Sequence, residues 1–245
     1  MNALRALARF LRAVNSTIAV LVFLVFMYVS ITAILPPPVT PIMLMRVFEG
    51  IIDGRPVGIN KTWVPYEHMS PHVFRAILAA EDARFLRHDG IDWKALEEAR
   101  RYNRMHQGRK LRGASTISMQ TAKNVFLWHG RNYVRKGLEA WYTFLIERMW
   151  GKKRILEVYA NVVEMGPGIY GIEAAAREYF GKSTSALTRR EAALIAAVLP
   201  NPRRWSPAGP TAYINRRADW ILRRMGGIRI PDGDRLLLTS APELR

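Results

Sequence analysis

The stretch FRAILAAEDARF, residues 74–85, decides the reading of this chain. Phe74, Leu78 and Phe85 recur at i, i+4 and i+11, the spacing of one face of a helix. Glu81 falls at i+7 on the same stripe, so a carboxylate sits in the row that should face the interior. Desolvation strengthens a carboxylate as a general base. A structural Glu paired with a buried Arg would give the same pattern, and the stripe alone leaves both readings open. Asp82 lies off the stripe and suits a salt bridge or a neighbouring role. His88 reads as a helix-end or loop residue.

Working outward, helical patterns are predicted at about 71–86, 92–106, 115–127, 131–150, 152–164, 171–180, 188–199 and 211–225. Ser70 ahead of Pro71 reads as an N-cap followed by Pro at the first helical position. Strand-like alternation is scarce, and no repeat or low-complexity tract is present. Residues 36–70 hold several Pro and Gly and read as extended. The fold class is therefore mostly α. One helical domain, residues 65–226, follows a linker at 36–64 and precedes an uninformative tail at 227–245.

The N-terminus carries a different signal. No charged residue occurs between Arg12 and Arg46, and residues 17–35 read TIAVLVFLVFMYVSITAIL. A helix needs roughly 20 apolar residues to span a bilayer core. A cleaved signal peptide would have a shorter apolar region ending in a small-residue site, whereas this run ends in Pro36-Pro37-Pro38. Residues 17–35 are therefore expected to be one transmembrane anchor. Arg5, Arg9 and Arg12 assign residues 1–16 to the cytoplasm and the large domain to the outside. ATP and nucleotide sugars are scarce there, so an activated substrate must bring its own leaving group.

Composition narrows the partners. The 245 residues have a net charge of +17 and a pI near 10.8, which favours anionic ligands. The anchor argues against nucleic acid and for the membrane or a phosphorylated substrate. The absence of Cys removes disulfides and thiolate metal sites.

Three further segments carry chemistry. In GASTISMQTAKN, residues 113–124, Ser115 or Thr116 can cap a helix on which Thr116, Gln120, Lys123 and Asn124 share a polar face. Such donors around one cation suit sugar hydroxyls or phosphate oxygens, although a solvated helix face would look alike. In residues 131–150, Val134, Leu138, Trp141, Leu145 and Met149 are the expected core stripe. Arg131, Arg135 and Glu139 form a second stripe at i, i+4 and i+8, either an anion cradle or an ordinary surface pair. Gly166, Gly168 and Gly171 match G-x-G-x-x-G formally. No strand precedes them and Pro167 interrupts them, so the dinucleotide reading fails. Gly181-Lys182-Ser183 lacks the first glycine of a P-loop, and His68/His72 has Pro71 between its members and no carboxylate partner.

Taken together, the segments resemble the glycosyltransferase family that builds peptidoglycan, in its monofunctional biosynthetic form. EDARFLRHDG is similar to the family's ED-x-x-F-x-x-H-x-G, and GASTISMQTAKN to G-x-S-T-I-x-Q-Q-x-x-K-N. RKGLE is similar to R-K-x-x-E, ILEVYAN to I-L-E-x-Y-x-N, and residues 187–202 to the final helix and Pro turn. Met119 and Leu138 depart from the pattern, where members often have Gln and some have Lys.

The resemblance implies a lysozyme-like helical fold and an inverting transfer of lipid II into β-1,4-linked glycan. It makes Glu81 the general base and places Glu139 on the donor side. Lys123, Arg131, Arg135 and Lys136 would hold the pyrophosphate. Ser115, Gln120 and Asn124 would position sugar or phosphate oxygens. No cofactor and no resident metal are expected, with stimulation by Mg or Mn left open. The implied partners are lipid II, the growing lipid-linked glycan, the inner membrane and other wall-synthesis or division proteins. The apolar run Val125–Trp128 is expected either to pack in the core or to dip into the bilayer. No S-x-x-K or K-T-G motif is found, so polymerisation without cross-linking is expected. Two other readings compete: a glycan-cleaving enzyme on the same scaffold, which would need no cation set, and a non-catalytic scaffold.

Overall fold

A computed structural model of the protein describes residues 2–107, 112–130 and 132–231. The chain divides into two units, residues 1–37 and 38–245. The first is a single helix, α1 (Asn2–Ile34). Its stretch Arg9–Ile34 is long and apolar enough to cross a membrane, and side chains such as Phe23, Ile18 and Leu21 stand exposed along it. A core helix of a soluble protein would bury them.

The second unit begins with α2 (Pro41–Ile52), which corrects the expected linker. The Pro-rich flank suggested extended chain, but Pro41 occupies the first turn, where its missing N–H has no partner to lose. Ile42 and Met43 of α2 are buried. The following β1 (Asn60–Lys61) is also ordered secondary structure within the expected linker.

Next come α3 (Pro71–Glu81) and α4 (Trp93–Met105), capped by Ser70 and Asp92. The expected helix 71–86 stops at Glu81, because Asp82 leaves the helical backbone conformation (φ −159°, ψ 72°) and its carboxylate is engaged elsewhere. Phe85 is buried from a separate 3-10 turn. Then follow α5 (Ile117–Phe126), α6 (Tyr133–Met149) and α7 (Gly151–Val162). Thr116 caps α5 and Asn132 caps α6 through side-chain oxygens.

A small sheet separates α7 from α8. β2 (Glu164–Gly166) pairs antiparallel with β3 (Ile169–Tyr170), which pairs parallel with β1 through Asn60 and Ile169. The three glycines that mimic a nucleotide loop serve this hairpin. Gly168 has φ +73°, and a Cβ there would lie 2.6 Å from the Gly58 carbonyl oxygen. Gly171 has φ +80° and packs its backbone against Asn161.

The chain continues through α8 (Ile172–Phe180), α9 (Arg189–Val198) and α10 (Ala212–Met225). Thr188 and Glu191 form a reciprocal capping box on α9. Every residue from Ala192 to Val198 is buried, so α9 is the axis of one half, with α3 and α10 packed on it. In the other half α5 is the axis, with α2, α6 and α7 around it. Side chains such as Phe74, Ile117, Ile155 and Tyr159 are fully buried, each contributing roughly 1.5–3 kcal/mol by leaving water. Packed chain continues past residue 226. Ile230 is buried, and the Tyr66 hydroxyl donates to the Pro231 carbonyl at 2.7 Å.

Candidate active site

Glu81 is the last residue of α3, at the edge of a cleft of about 430 Å³. Arg112, Ser115, Trp220 and Arg224 help to line this cleft. The carboxylate does not sit among apolar neighbours, as the stripe suggested. Gln120 Nε2 donates to its Oε2 at 3.0 Å, and Arg217 Nη2 stands 3.5 Å from its Oε1. The helix ends at this residue, so Glu81 turns out of the row that Phe74 and Leu78 follow into the core.

The Gln120 amide is held in one orientation. Tyr159 OH donates to Gln120 Oε1 at 3.0 Å, which directs the amide nitrogen at Glu81. Burial, with the charges of Glu81 and Asp82 adding to it, pushes the Tyr159 hydroxyl well above its usual range. It therefore remains a donor at any physiological pH.

Asp82 is buried and acts as a latch. Its Oδ2 accepts the Ile117 backbone N–H at 3.0 Å, and both oxygens lie 3.1 Å from His88 Nε2. The first turn of α5 is thereby fastened to the end of α3, and Gln120 is fastened to Glu81. The His88 side chain is only 7% exposed, so it belongs to this latch and not to a free loop. Asp82, His88 and Asp92 offer ligand atoms within 4.8 Å of one another. Their carboxylates already accept from Ile117, Ala95 and Arg84, which fits a hydrogen-bonded brace better than a metal centre.

The second group lies on α5 and α6, and here the expected facing of α6 is reversed. Val134 is 74% exposed, and Trp141 and Phe144 are also open. Arg135, Glu139 and Thr143 are buried. Leu145 is buried as expected, while Leu138 and Met149 are half-buried. Burying the charged stripe is tolerated because its groups are paired. Arg135 Nη1 donates to Glu139 Oε2 at 2.7 Å and its Nε donates to the Gly130 carbonyl at 2.7 Å. Lys136 Nζ pairs with Glu139 Oε1 and lies 3.5 Å from Ser115 Oγ.

Lys123 differs from these cations. It is half-buried, and its side chain makes no hydrogen bond or ion pair among the described residues. Desolvation lowers its pKa, Glu139 opposes that shift, and Arg135 and Lys136 reinforce it. Asn124, buried beside it on α5, likewise has no side-chain hydrogen bond among the described residues. Arg131 lies outside the described residues. Of the run Val125–Trp128, Val125 and Leu127 are core, Phe126 stacks on Tyr142, and only Trp128 is open. The run is packing, whereas α6 carries an exposed apolar face.

Sequence reading missed several contributors. Arg217 comes from α10, with Trp220 and Arg224 one and two turns on, a pattern visible in the sequence but assigned only to a helix. Arg46 of α2 donates to Glu164 of β2 from Nη2 at 3.2 Å and to Glu49 at 2.6 Å. A lone Arg inside PIMLMRVF was the available signal. Burial raises the Glu164 pKa, and Arg46 opposes that shift. Burial, aided by Arg46 and Lys123, lowers His129 to about 4.

The arrangement can carry out acid–base work at one end and anion holding at the other. Comparison with known proteins bears on that pairing. The family model described as Transglycosylase matches residues 51–226. The biosynthetic peptidoglycan transglycosylase of Rhodospirillum centenum is 51% identical over 221 residues, covering 90% of this chain and 93% of that protein. Its namesake in Caulobacter vibrioides is 47% identical over 228 residues, covering 91% and 96%. That of Pseudomonas fluorescens Pf0-1 is 48% identical over 221 residues, covering 90% and 88%.

Proposed function

The chain belongs to the transglycosylase family and is a peptidoglycan glycosyltransferase, and from that premise we propose how its residues divide the reaction. The substrate is lipid II, and the product is a β-1,4-linked strand with release of polyprenyl pyrophosphate. Glu81 takes the proton from the 4-hydroxyl of the incoming disaccharide. The oxygen attacks the anomeric carbon of the growing strand from the face opposite the leaving group, which inverts that centre. The bond to pyrophosphate breaks and its electron pair leaves with the phosphate oxygen.

Charge collects on the pyrophosphate, and fixed cations that meet it there lower the barrier. Lys123, Arg135 and Lys136 fill this role, with Arg131 assigned by the resemblance alone. Glu139 has one oxygen on Arg135 and one on Lys136, so its part is to hold both cations at a fixed spacing. Ser115, Gln120 and Asn124 position oxygens of sugar or phosphate. No cofactor is required. Where a divalent cation such as Mg or Mn stimulates the reaction, Glu139 would hold it, and the ion would offset charge on the pyrophosphate. The N-terminus stays in the cytoplasm, α1 anchors the chain in the inner membrane, and the transfer occurs outside. Tyr133, Val134, Trp141 and Phe144 on the outer face of α6 rest on the bilayer.

One observation carries this reading. Gln120, bonded to Glu81, and Lys123, an ammonium without a partner among the described residues, are three residues apart on α5. Side chains at that spacing are neighbours, about 5–6 Å apart at Cβ. The residue that holds the base and the residue that holds the leaving group are thus set on one rigid element. The test is polymerisation of labelled lipid II by the detergent-solubilised chain beside Glu81→Gln. A glycan ladder from the parent alone supports the assignment. A ladder from both would remove Glu81 as base, and digestion of preformed glycan would point to a hydrolase.

A further inference from the structure

α2 has two unlike sides. Leu44, Phe48, Ile51 and Ile52 recur at i, i+4, i+7 and i+8, and all four are exposed. Arg46, Gly50 and Asp53 lie on the opposite side and face a pocket of about 840 Å³. The loop after α2 adds Arg55, the β2–β3 hairpin adds Glu164, and the segment after α9 adds Arg203 and Arg204. Four guanidinium groups thus meet two carboxylates, Asp53 and Glu164.

The pairing inside the pocket leaves positive charge unspent. Arg46 is committed to Glu49 and Glu164, and Arg203 approaches Glu164 only at 4.0 Å. Arg55 and Arg204 are exposed and make no ion pair or side-chain hydrogen bond among the described residues. Forked guanidinium donors match the oxygens of a phosphate group.

The neighbouring surface indicates where such a phosphate comes from. Only residues 35–40 lie between α1 and α2, a tether of roughly 25 Å at most. An apolar helix face held that near a bilayer lies in its interface, sunk about 5–10 Å. A helix is about 10 Å across, so the side opposite the apolar face rides at headgroup level. That is the side that lines the pocket.

We propose that this pocket binds the phosphate headgroup of an anionic membrane lipid, with Arg55 and Arg204 as the groups that grip it. The inference rests on the bilayer-surface location given above and not on the roles of Glu81 or Lys123. Phosphate is the shared chemistry. A free phosphate ion or the substrate's own pyrophosphate offers the same oxygens, so the test must separate the three.

The test is native mass spectrometry of the full chain in a neutral detergent, with dioleoyl phosphatidylglycerol and dioleoyl phosphatidylcholine in competition. Arg55→Gln/Arg204→Gln is compared with the parent and with Arg100→Gln/Arg104→Gln, which removes equal charge from exposed positions on α4 outside the pocket. All four sites are exposed, so no packing is lost, and circular dichroism checks the fold. The parent is expected to retain phosphatidylglycerol with about a twentyfold preference, and the pocket variant to lose about fivefold per arginine removed. The α4 variant is expected to keep the preference. Equal loss from both variants would reduce the effect to diffuse attraction and overturn the proposal. Displacement of the lipid by millimolar inorganic phosphate would overturn it in favour of a free-ion site. Displacement by polyprenyl pyrophosphate at matched concentration would overturn it in favour of the substrate.

Discussion

Replacing Lys123 by Met separates function from stability by giving them opposite signs. The ammonium is half-buried on α5 and has no ion pair or hydrogen bond among the described residues. In the free enzyme it costs desolvation without a compensating partner, and its lowered pKa reports that cost. Met keeps most of the aliphatic stem and removes the charge. Unfolding by heat should therefore occur at the same temperature or higher. Recovery of about 1 kcal/mol would raise Tm by roughly 2–4 °C in a domain of this size. The pH dependence has the same origin. A folded pKa below the usual 10.5 means that the unfolded chain binds more protons, so stability rises as pH climbs from the folded value towards 10.5. Lys123→Met should flatten that rise. Activity should move the other way. Loss of one fixed charge-stabilising donor typically costs about 10²–10³ in kcat. The assay is the initial rate of lipid II polymerisation in detergent, beside differential scanning fluorimetry of the same sample. A variant that unfolds several degrees earlier would show that Lys123 holds the fold together. A rate within about tenfold of the parent would show that it does not hold the leaving group. Either result refutes the reasoning.

Other outcomes follow from the same geometry. Tyr159→Phe frees the Gln120 amide to rotate away from Glu81; about 1 kcal/mol of stability should be lost with the buried hydrogen bond, and lipid II turnover should fall while retention of lipid II is unchanged in a pull-down. Gly171→Ala forces a Cβ within 2.7 Å of the Asn161 carbonyl oxygen at φ +80°, and should lower the urea midpoint by an amount equivalent to about 2 kcal/mol or more. His129, lowered to about 4 from an ordinary 6.5, binds fewer protons folded than unfolded. Its contribution is present above pH 6.5 and lost as pH falls towards 4, so His129→Gln should shallow the acid side of the Tm-against-pH curve relative to the parent.

Much of this architecture was legible because its signals are local. Ser70 and Thr116 each cap the helix that follows them, and a cap is decided within four residues of sequence. The resemblance through EDARFLRHDG and RKGLE rests on local motifs as well. Facing was less legible. Val134 and Trp141 share the period of Arg135 and Glu139, and the period fixes two stripes without saying which one turns inward. Helix α2 was hidden because Pro and Gly count as breakers unless the position of Pro41 within the first turn is known. Contacts over long separations left no trace. Arg46 and Glu164 are 118 residues apart, and the approach of Arg217 to Glu81 depends on how α10 packs against α3.

The reversal of α6 has a physical cause that joins its two faces. A helix bounded by water on one side buries its apolar stripe, because that is the larger transfer energy. α6 buries Arg135, Glu139 and Thr143 instead, and each of these is bonded: Arg135 to Glu139 and Gly130, Thr143 to the Glu139 carbonyl at 2.6 Å. Desolvation is thereby offset on the inner side, but nothing on that side accounts for leaving Tyr133, Val134 and Phe144 open. An apolar medium on the outer side does account for it. Under that condition the helix faces lipid with one stripe and an anion with the other. A lipid-linked pyrophosphate presents those two requirements together, since its tail lies in the bilayer and its charge lies just above it. Serine at Val134 and Phe144 should then stabilise the detergent-free soluble domain against aggregation while reducing polymerisation on vesicles. If those two replacements left vesicle activity untouched, the outer face of α6 would have to be covered by something other than the membrane.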